Sequence, residues 1–157
     1  MNSLDRRTFL KSALAGGIVT LAASAGLLKP TRVLAAAWPA NAFEAKTADD
    51  ALKALYGVAA PATSPAVTLK APFQAENGAV VPITVSTSLP KVESIAILVK
   101  ENPNPLVVKV AFTGAEGYFS ARMKMGKTSD VVVVAKSGGK LYAASQQIKV
   151  TVGGCGG

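Results

Sequence analysis

From Ala66 onward the chain alternates. β-Branched and other apolar residues recur at every second position in short runs, and turn-forming residues separate the runs. Successive side chains of a strand point to opposite faces, so a period of two specifies strands rather than helices. Strands are expected at Val67–Lys70, Val80–Ser86, Ser94–Val99, Leu106–Phe112, Tyr118–Lys124, Val131–Lys136 and Leu141–Val152. Between them stand Glu76-Asn77-Gly78, Asn102-Pro103-Asn104-Pro105, Thr113-Gly114, Gly126-Lys127 and Ser137-Gly138-Gly139. Ser137-Gly138-Gly139-Lys140 is a strong hairpin signal, because glycine accepts the positive φ of a tight turn. About seven short strands at regular turn spacing predict a mainly β chain, an immunoglobulin-like antiparallel β-sandwich.

The region before the strands reads differently. Asn41 is placed to cap a helix from about Ala42 to Tyr56, and Gly57 is placed to end it. Phe43, Ala48, Leu52 and Leu55 supply its apolar face. Ala59 to Pro65 reads as a linker, since its prolines cannot join an interior ladder. At the start, Asp5-Arg6-Arg7-Thr8-Phe9-Leu10-Lys11 resembles a twin-arginine export signal, with Asp5 where Ser or Thr is common. An apolar stretch from Ala13 to Leu28 follows, then Lys29, Pro30 and Arg32, and Ala35-Ala36-Ala37 offers a cleavage site. The abundance of Gly and Ala in that stretch argues for a removed signal over a membrane anchor. The expected organisation is a removed export signal at 1–37, a helix and linker at 38–65, a β-sandwich at 66–152 and a cysteine arm at 153–157. The mature chain then begins near Trp38 and works in the periplasm, without stable membrane association.

Composition removes most catalytic designs. The chain has no histidine and one cysteine, so it cannot by itself build a Ser-His-Asp or Cys-His site or a common zinc site. Asp49-Asp50 fall in the helical pattern, while Glu93, Glu101 and Glu116 are scattered, which suits solvated charges better than an acid/base pair. No catalytic residue, metal ligand or cofactor is expected. The formal charge of +8 falls to +4 once residues 1–37 are set aside, with twelve basic residues against eight acidic. The lysines are dispersed and few aromatics stand among them, so nucleic-acid binding is not expected.

What remains is the tail, Val150-Thr151-Val152-Gly153-Gly154-Cys155-Gly156-Gly157. Ile148, Val150 and Val152 alternate with Gln147, Lys149 and Thr151, so the last strand is expected to run almost to Gly153. Gly153 and Gly154 form a hinge, and Gly156 and Gly157 add nothing that would shield the sulfur. Five extended residues reach at most roughly 17 Å, enough to enter a narrow pocket while the folded body stays outside. In an oxidising compartment, an odd cysteine must pair with another chain, react or be buried. From the tail alone, covalent carriage and a static intersubunit disulfide are both open. Activation of the terminal glycine as a thiocarboxylate suits a cytoplasmic β-grasp protein and is disfavoured by the export signal.

Other blocks carry a resemblance: Val80-Val81-Pro82-Ile83-Thr84-Val85, Val92 to Val99, the Asn102-Pro103 turn, Arg122 to Val131, and Gly139-Lys140-Leu141-Tyr142. With the GGCGG terminus and the export signal, they make the mature region similar to the SoxY family, sulfur carriers of the bacterial Sox thiosulfate-oxidising system. The resemblance implies a heterodimer with SoxZ. It implies oxidative loading of thiosulfate by the cytochrome SoxAX and release of sulfate by the hydrolase SoxB. A sulfane dehydrogenase, where present, would oxidise the remaining sulfur. Cys155 matches the attachment point for thiosulfonate and persulfide adducts, and Gly153, Gly154, Gly156 and Gly157 match its flexible arm. Met123 and Met125, two apart, are expected to pack on a sheet face rather than bind metal, with Arg122, Lys124 and Lys127 on solvated strand edges. Trp38 and Phe43 are expected to pack the helix or contact a partner, and Tyr142 to be a cross-strand aromatic.

Overall fold

The computed structural model describes residues 38–58 and 61–151. Two short helices, α1 (Ala40–Glu44) and α2 (Ala48–Tyr56), precede the strands. These are β1 (Ala62–Thr63), β2 (Val67–Lys70), β3 (Gln74–Ala75), β4 (Val81–Thr87), β5 (Val92–Val99), β6 (Leu106–Ala111), β7 (Tyr118–Met123), β8 (Ser129–Ser137) and β9 (Lys140–Val150). All seven expected strands are present. Val152, expected at the end of the last one, lies outside the described residues.

The single helix expected from Ala42 to Tyr56 is two helices. Asn41 falls inside α1 rather than capping it, and Ala45 is extended with ψ 144°. Thr47 then caps α2: its hydroxyl oxygen accepts the Asp50 N–H at 3.1 Å and donates to the Asp50 carboxylate at 2.7 Å. A threonine three residues ahead of an aspartate offers the backbone this alternative to continuing the helix. Gly57 ends α2 in the left-handed region, φ 77°, donating its N–H to the Lys53 carbonyl. The helix stop was therefore where the glycine placed it.

The strands form two sheets. The larger has the order β1-β9-β8-β5-β6, with β3 also pairing β9; the smaller is β2-β4-β7. Most pairings are antiparallel, but β1 and β3 both run parallel to β9. The antiparallel expectation thus holds for every strand but the two-residue β1 and β3. The chain meets β9 at Tyr142–Ala143, joins the small sheet as β2, and returns to β9 at Lys149–Val150. Ala62 and Thr63 of the expected linker belong to the larger sheet, while Ala59 and Ala60 lie outside the described residues.

Register explains the core. In β5, Ile95, Ile97 and Val99 turn toward a cluster shared with Val81, Ile83 and Val85 of β4 and Met123 of β7. The intervening Ala96 and Leu98 enter a second cluster with Ala42 of α1 and Ala51 and Leu52 of α2. β8 divides likewise, Val131 and Val133 to the first and Val134 to the second. The large sheet is therefore covered on both faces, by the small sheet and by the helices. That is why Ser94–Val99 and Val131–Val134 read as nearly unbroken apolar runs, while Val81–Val85 of β4 alternates buried and less buried. Each fully buried Ile or Val in these layers contributes about 1.5–3 kcal/mol relative to exposure. The β8–β9 turn is as expected: Gly138 and Gly139 take φ 56° and 73°, and Ser137 pairs with Lys140.

Candidate functional site

Strand β9 is held on both sides to its end. On one side Ile148 pairs with Ser129 of β8, and the Val150 N–H donates to the Thr128 hydroxyl at 3.0 Å. On the other, Lys149 donates its N–H to the Phe73 carbonyl at 2.9 Å and Thr151 donates its own to the Ala75 carbonyl at 3.1 Å. Ile148 is fully buried and Val150 packs against the same core. The anchored body thus extends to Thr151, four positions before Cys155. Cys155 and Gly153, Gly154, Gly156 and Gly157 lie outside the described residues.

The surface around this strand end is built from three turns. Met125 donates its N–H to the Gly78 carbonyl at 2.7 Å. Gly78 lies so close to the Met125 carbonyl and to Val150 that no β-carbon fits there without displacement. Asn102 brackets the third turn: its amide nitrogen donates to the Lys124 carbonyl at 2.8 Å, and its amide oxygen accepts the Gly126 N–H at 3.1 Å. Sequence reading placed Asn102 in a turn but missed this role. An asparagine is a general turn signal, and a partner 22 positions away leaves no local trace.

The methionines are core residues. Met123 is 4 % and Met125 2 % exposed, whereas Arg122, Lys124 and Lys127 stand in solvent. Lys127 pairs with Glu101 at 2.8 Å and Lys100 with Asp130 at 3.3 Å. Arg122, Lys124 and Lys149 make no ion pair among the described residues. Tyr142 lies opposite Ala135 and packs against the core as a cross-strand aromatic. Phe43 packs against the helix-side cluster, while Trp38 is 70 % exposed.

The shifted ionisable groups sit elsewhere, toward the β8–β9 turn. Lys136 bonds Glu93 at 2.8 Å, and the Gly139 N–H donates to the same carboxylate at 2.9 Å. These bonds hold Glu93 below the usual carboxylate range and raise Lys136. Burial, opposed by its 3.1 Å bond to Ser94, raises the Tyr56 phenol. The nearby cleft, about 610 Å³, is lined by Tyr56, Pro61, Lys136, Lys140 and Tyr142 among others. Among the described residues no cluster of three metal-ligating side chains occurs.

Comparison with known proteins then bears on the tail. The family described as "Sulfur oxidation protein SoxY" matches residues 52–155, so the matched region ends on the lone cysteine. The solved sulfur carrier protein SoxY from Chlorobium limicola f thiosulfatophilum is 43 % identical, over 69 % of this chain and 96 % of that one, with a TM-score of 0.62. A superoxide reductase (neelaredoxin) from Ignicoccus hospitalis is 20 % identical over 63 % of this chain and 87 % of its own, at a TM-score of 0.49. No curated protein matches the chain.

Proposed function

The chain belongs to the SoxY family and is a non-catalytic sulfur-carrier subunit of the Sox sulfur-oxidation pathway, and from that premise we propose that the sulfur travels on Cys155. The observation that carries this reading is positional. The family match reaches residue 155, and Thr151 is the last anchored position among the described residues. Four extended residues put the sulfur up to roughly 14 Å beyond the strand end. Gly153, Gly154, Gly156 and Gly157 would form the arm that passes a narrow channel, because none bears a side chain to clash with its walls.

The chemistry asked of the chain is retention. Thiosulfate joined to the cysteine thiolate forms a sulfur–sulfur bond, with the released electron pair taken by a c-type cytochrome such as SoxAX. Water then cleaves the terminal sulfonate as sulfate under a hydrolase such as SoxB, leaving a persulfide on Cys155. A disulfide-type bond persists between such steps yet stays open to thiol exchange. No basic side chain stands beside Cys155 in sequence, so its conversion to the nucleophilic thiolate relies on its partners. The two-sheet body would serve as an immunoglobulin-like platform paired with SoxZ, exported by the twin-arginine signal at 1–37 and acting in the periplasm.

Intact mass spectrometry tests the reading. The exported protein, incubated with thiosulfate and the cytochrome, should gain a thiosulfate-sized adduct on its last peptide that reductant removes. Cys155→Ser should fold normally and gain none. An adduct persisting in that variant, or only a disulfide-linked dimer of the wild type under active conditions, would reject Cys155 as the carrier site.

A further inference from the structure

We propose that the end of the β2-β4-β7 sheet beside the β9 terminus is a docking surface for an acidic protein face, that of an enzyme acting on the group Cys155 carries. The proposal rests on the carrier reading, and the length of the tether supplies its first argument. With a reach of at most roughly 14 Å from Thr151 to Cys155, an enzyme whose reacting centre receives the sulfur must touch the body close to that strand end. A longer arm would relax this requirement; this one does not.

The surface there has the composition of an interface. Val80 is 50 % exposed and Pro82 stands in solvent, with Val81 between them turned fully into the core. Pro82 pairs across the sheet with Arg122, and the next pair, Val81 with Met123, brings Val80 and Lys124 to the adjoining strand ends. Two exposed apolar side chains are thus flanked by two cations. The other outward positions of this sheet bear hydroxyls or Lys70, and none bears a carboxylate. Glu76, on the turn before Val80, and Glu101, paired with Lys127, are the acidic residues of the adjoining turns.

The cations of the patch carry no carboxylate partner among the described residues, a condition they share with Lys70 on β2 and Lys149 on β9. Lys100, Lys127 and Lys136 each have a carboxylate partner, whereas Arg122 and Lys124 have none among the described residues. The cations also stand on a fixed rim. Met123 and Met125 are buried on either side of Lys124, Asn102 holds the Lys124 carbonyl, and Met125 is bonded to Gly78. Such a preorganised positive rim around an apolar centre fits an acidic ring around an apolar spot, which speeds encounter and fixes orientation. A second copy of this chain would bring like charges together across a two-fold axis. The occupant is therefore a different, acidic protein.

The test compares wild type, Arg122→Glu/Lys124→Glu and Lys140→Glu, each as the exported protein with its partner subunit. Lys140 begins β9, ten positions from Val150, so it lies roughly 33 Å along the strand from the patch. Cys155 is loaded chemically with tetrathionate, the thiolate taking one thiosulfate group and displacing the other. Loading is checked by mass, and sulfate release by the hydrolase is then followed. The double reversal should lower kcat/KM about tenfold or more through KM, leave kcat at saturation nearly unchanged, and weaken the salt dependence. Lys140→Glu should behave as wild type, and all three should melt alike. An unchanged kcat/KM in a folded, fully loaded double variant overturns the docking surface. A change in sedimentation of the carrier complex would show an interface between copies or with the partner subunit at this patch and overturn it too. Failure of the wild type to load at Cys155 is a separate result: it defeats the carrier reading, and this proposal with it.

Discussion

Gly78→Ala probes the packing that fixes the end of β9. A β-carbon at Gly78 would strike the Met125 carbonyl and come within 2.8 Å of the Val150 Cγ1. The first obstacle is backbone, so a rotamer change cannot relieve it. Forcing a methyl into a filled site costs about 1–3 kcal/mol. If the turn retreats, the 2.7 Å bond from Met125 to the Gly78 carbonyl is lost, worth about 0.5–1.5 kcal/mol. Against this, alanine restricts the unfolded chain and returns about 0.4–1 kcal/mol. The net destabilisation is about 1–3 kcal/mol, or about 4–12 °C in Tm at about 4 °C per kcal/mol. Thermal unfolding by circular dichroism measures it. Gly126→Ala is the control: its β-carbon would meet only the Asn102 Oδ1 at 3.9 Å, so its Tm should stay near wild type. Equal melting of Gly78→Ala and wild type would refute the close approach. Rescue of Gly78→Ala by Val150→Ala would show that the side chain, and not the Met125 carbonyl, is the obstacle.

Thr47→Ala should cost about 1 kcal/mol by removing the cap of α2, read as a lower urea midpoint with an unchanged slope. Glu93 has a depressed pKa in the folded state, so its contribution is present above its ordinary pKa and disappears as pH falls through the folded value. The Tm gap between wild type and Glu93→Gln should therefore be widest near neutrality and close as acidification passes below the ordinary carboxylate range; a gap independent of pH would contradict the pairing. Deleting Gly153 and Gly154 should slow sulfate release from loaded protein while leaving Tm unchanged, and unaltered turnover would count against the arm.

The strands were legible because their period is local. Val67–Lys70 matches its expected range to the residue, and the Gly138-Gly139 turn declares itself through two glycines where two positive φ angles are required. The layer arrangement was legible only in part. Ala96, Leu98 and Val134 face the helices rather than solvent, and the nearly continuous runs Ser94–Val99 and Val131–Val134 were the available sign that both faces are covered. The break at Ala45–Thr47 was present in the Thr47-Asp50 spacing but was masked by apolar spacing that suits one longer helix. β1 and β3 are two residues each, too short for any periodicity, and their parallel pairing to β9 is a tertiary event. The cysteine was the easiest feature to find, since a lone thiol among glycines has no structural neighbour in sequence. The surface around β9's end was not, because Pro82 and Arg122 are 40 positions apart and meet only through the β4–β7 register.

Anchoring and reach together constrain how such a carrier works. Because the large sheet is packed on both faces and β9 is bonded on both edges, the strand has no slack to lend the tail without breaking bonds at Val150 and Thr151. If the sulfur rides on Cys155, each enzyme must approach the same end of the body. Successive enzymes then compete for one rim, and a tight complex with any of them would stall the cycle. Exposed cations around a small apolar centre meet that requirement: they steer encounter over about a Debye length, yet contribute little to holding a solvated complex together. On that reading the short tether and the modest, positively charged patch would be one design, in which association and dissociation are both fast and the covalent bond to sulfur alone persists between visits.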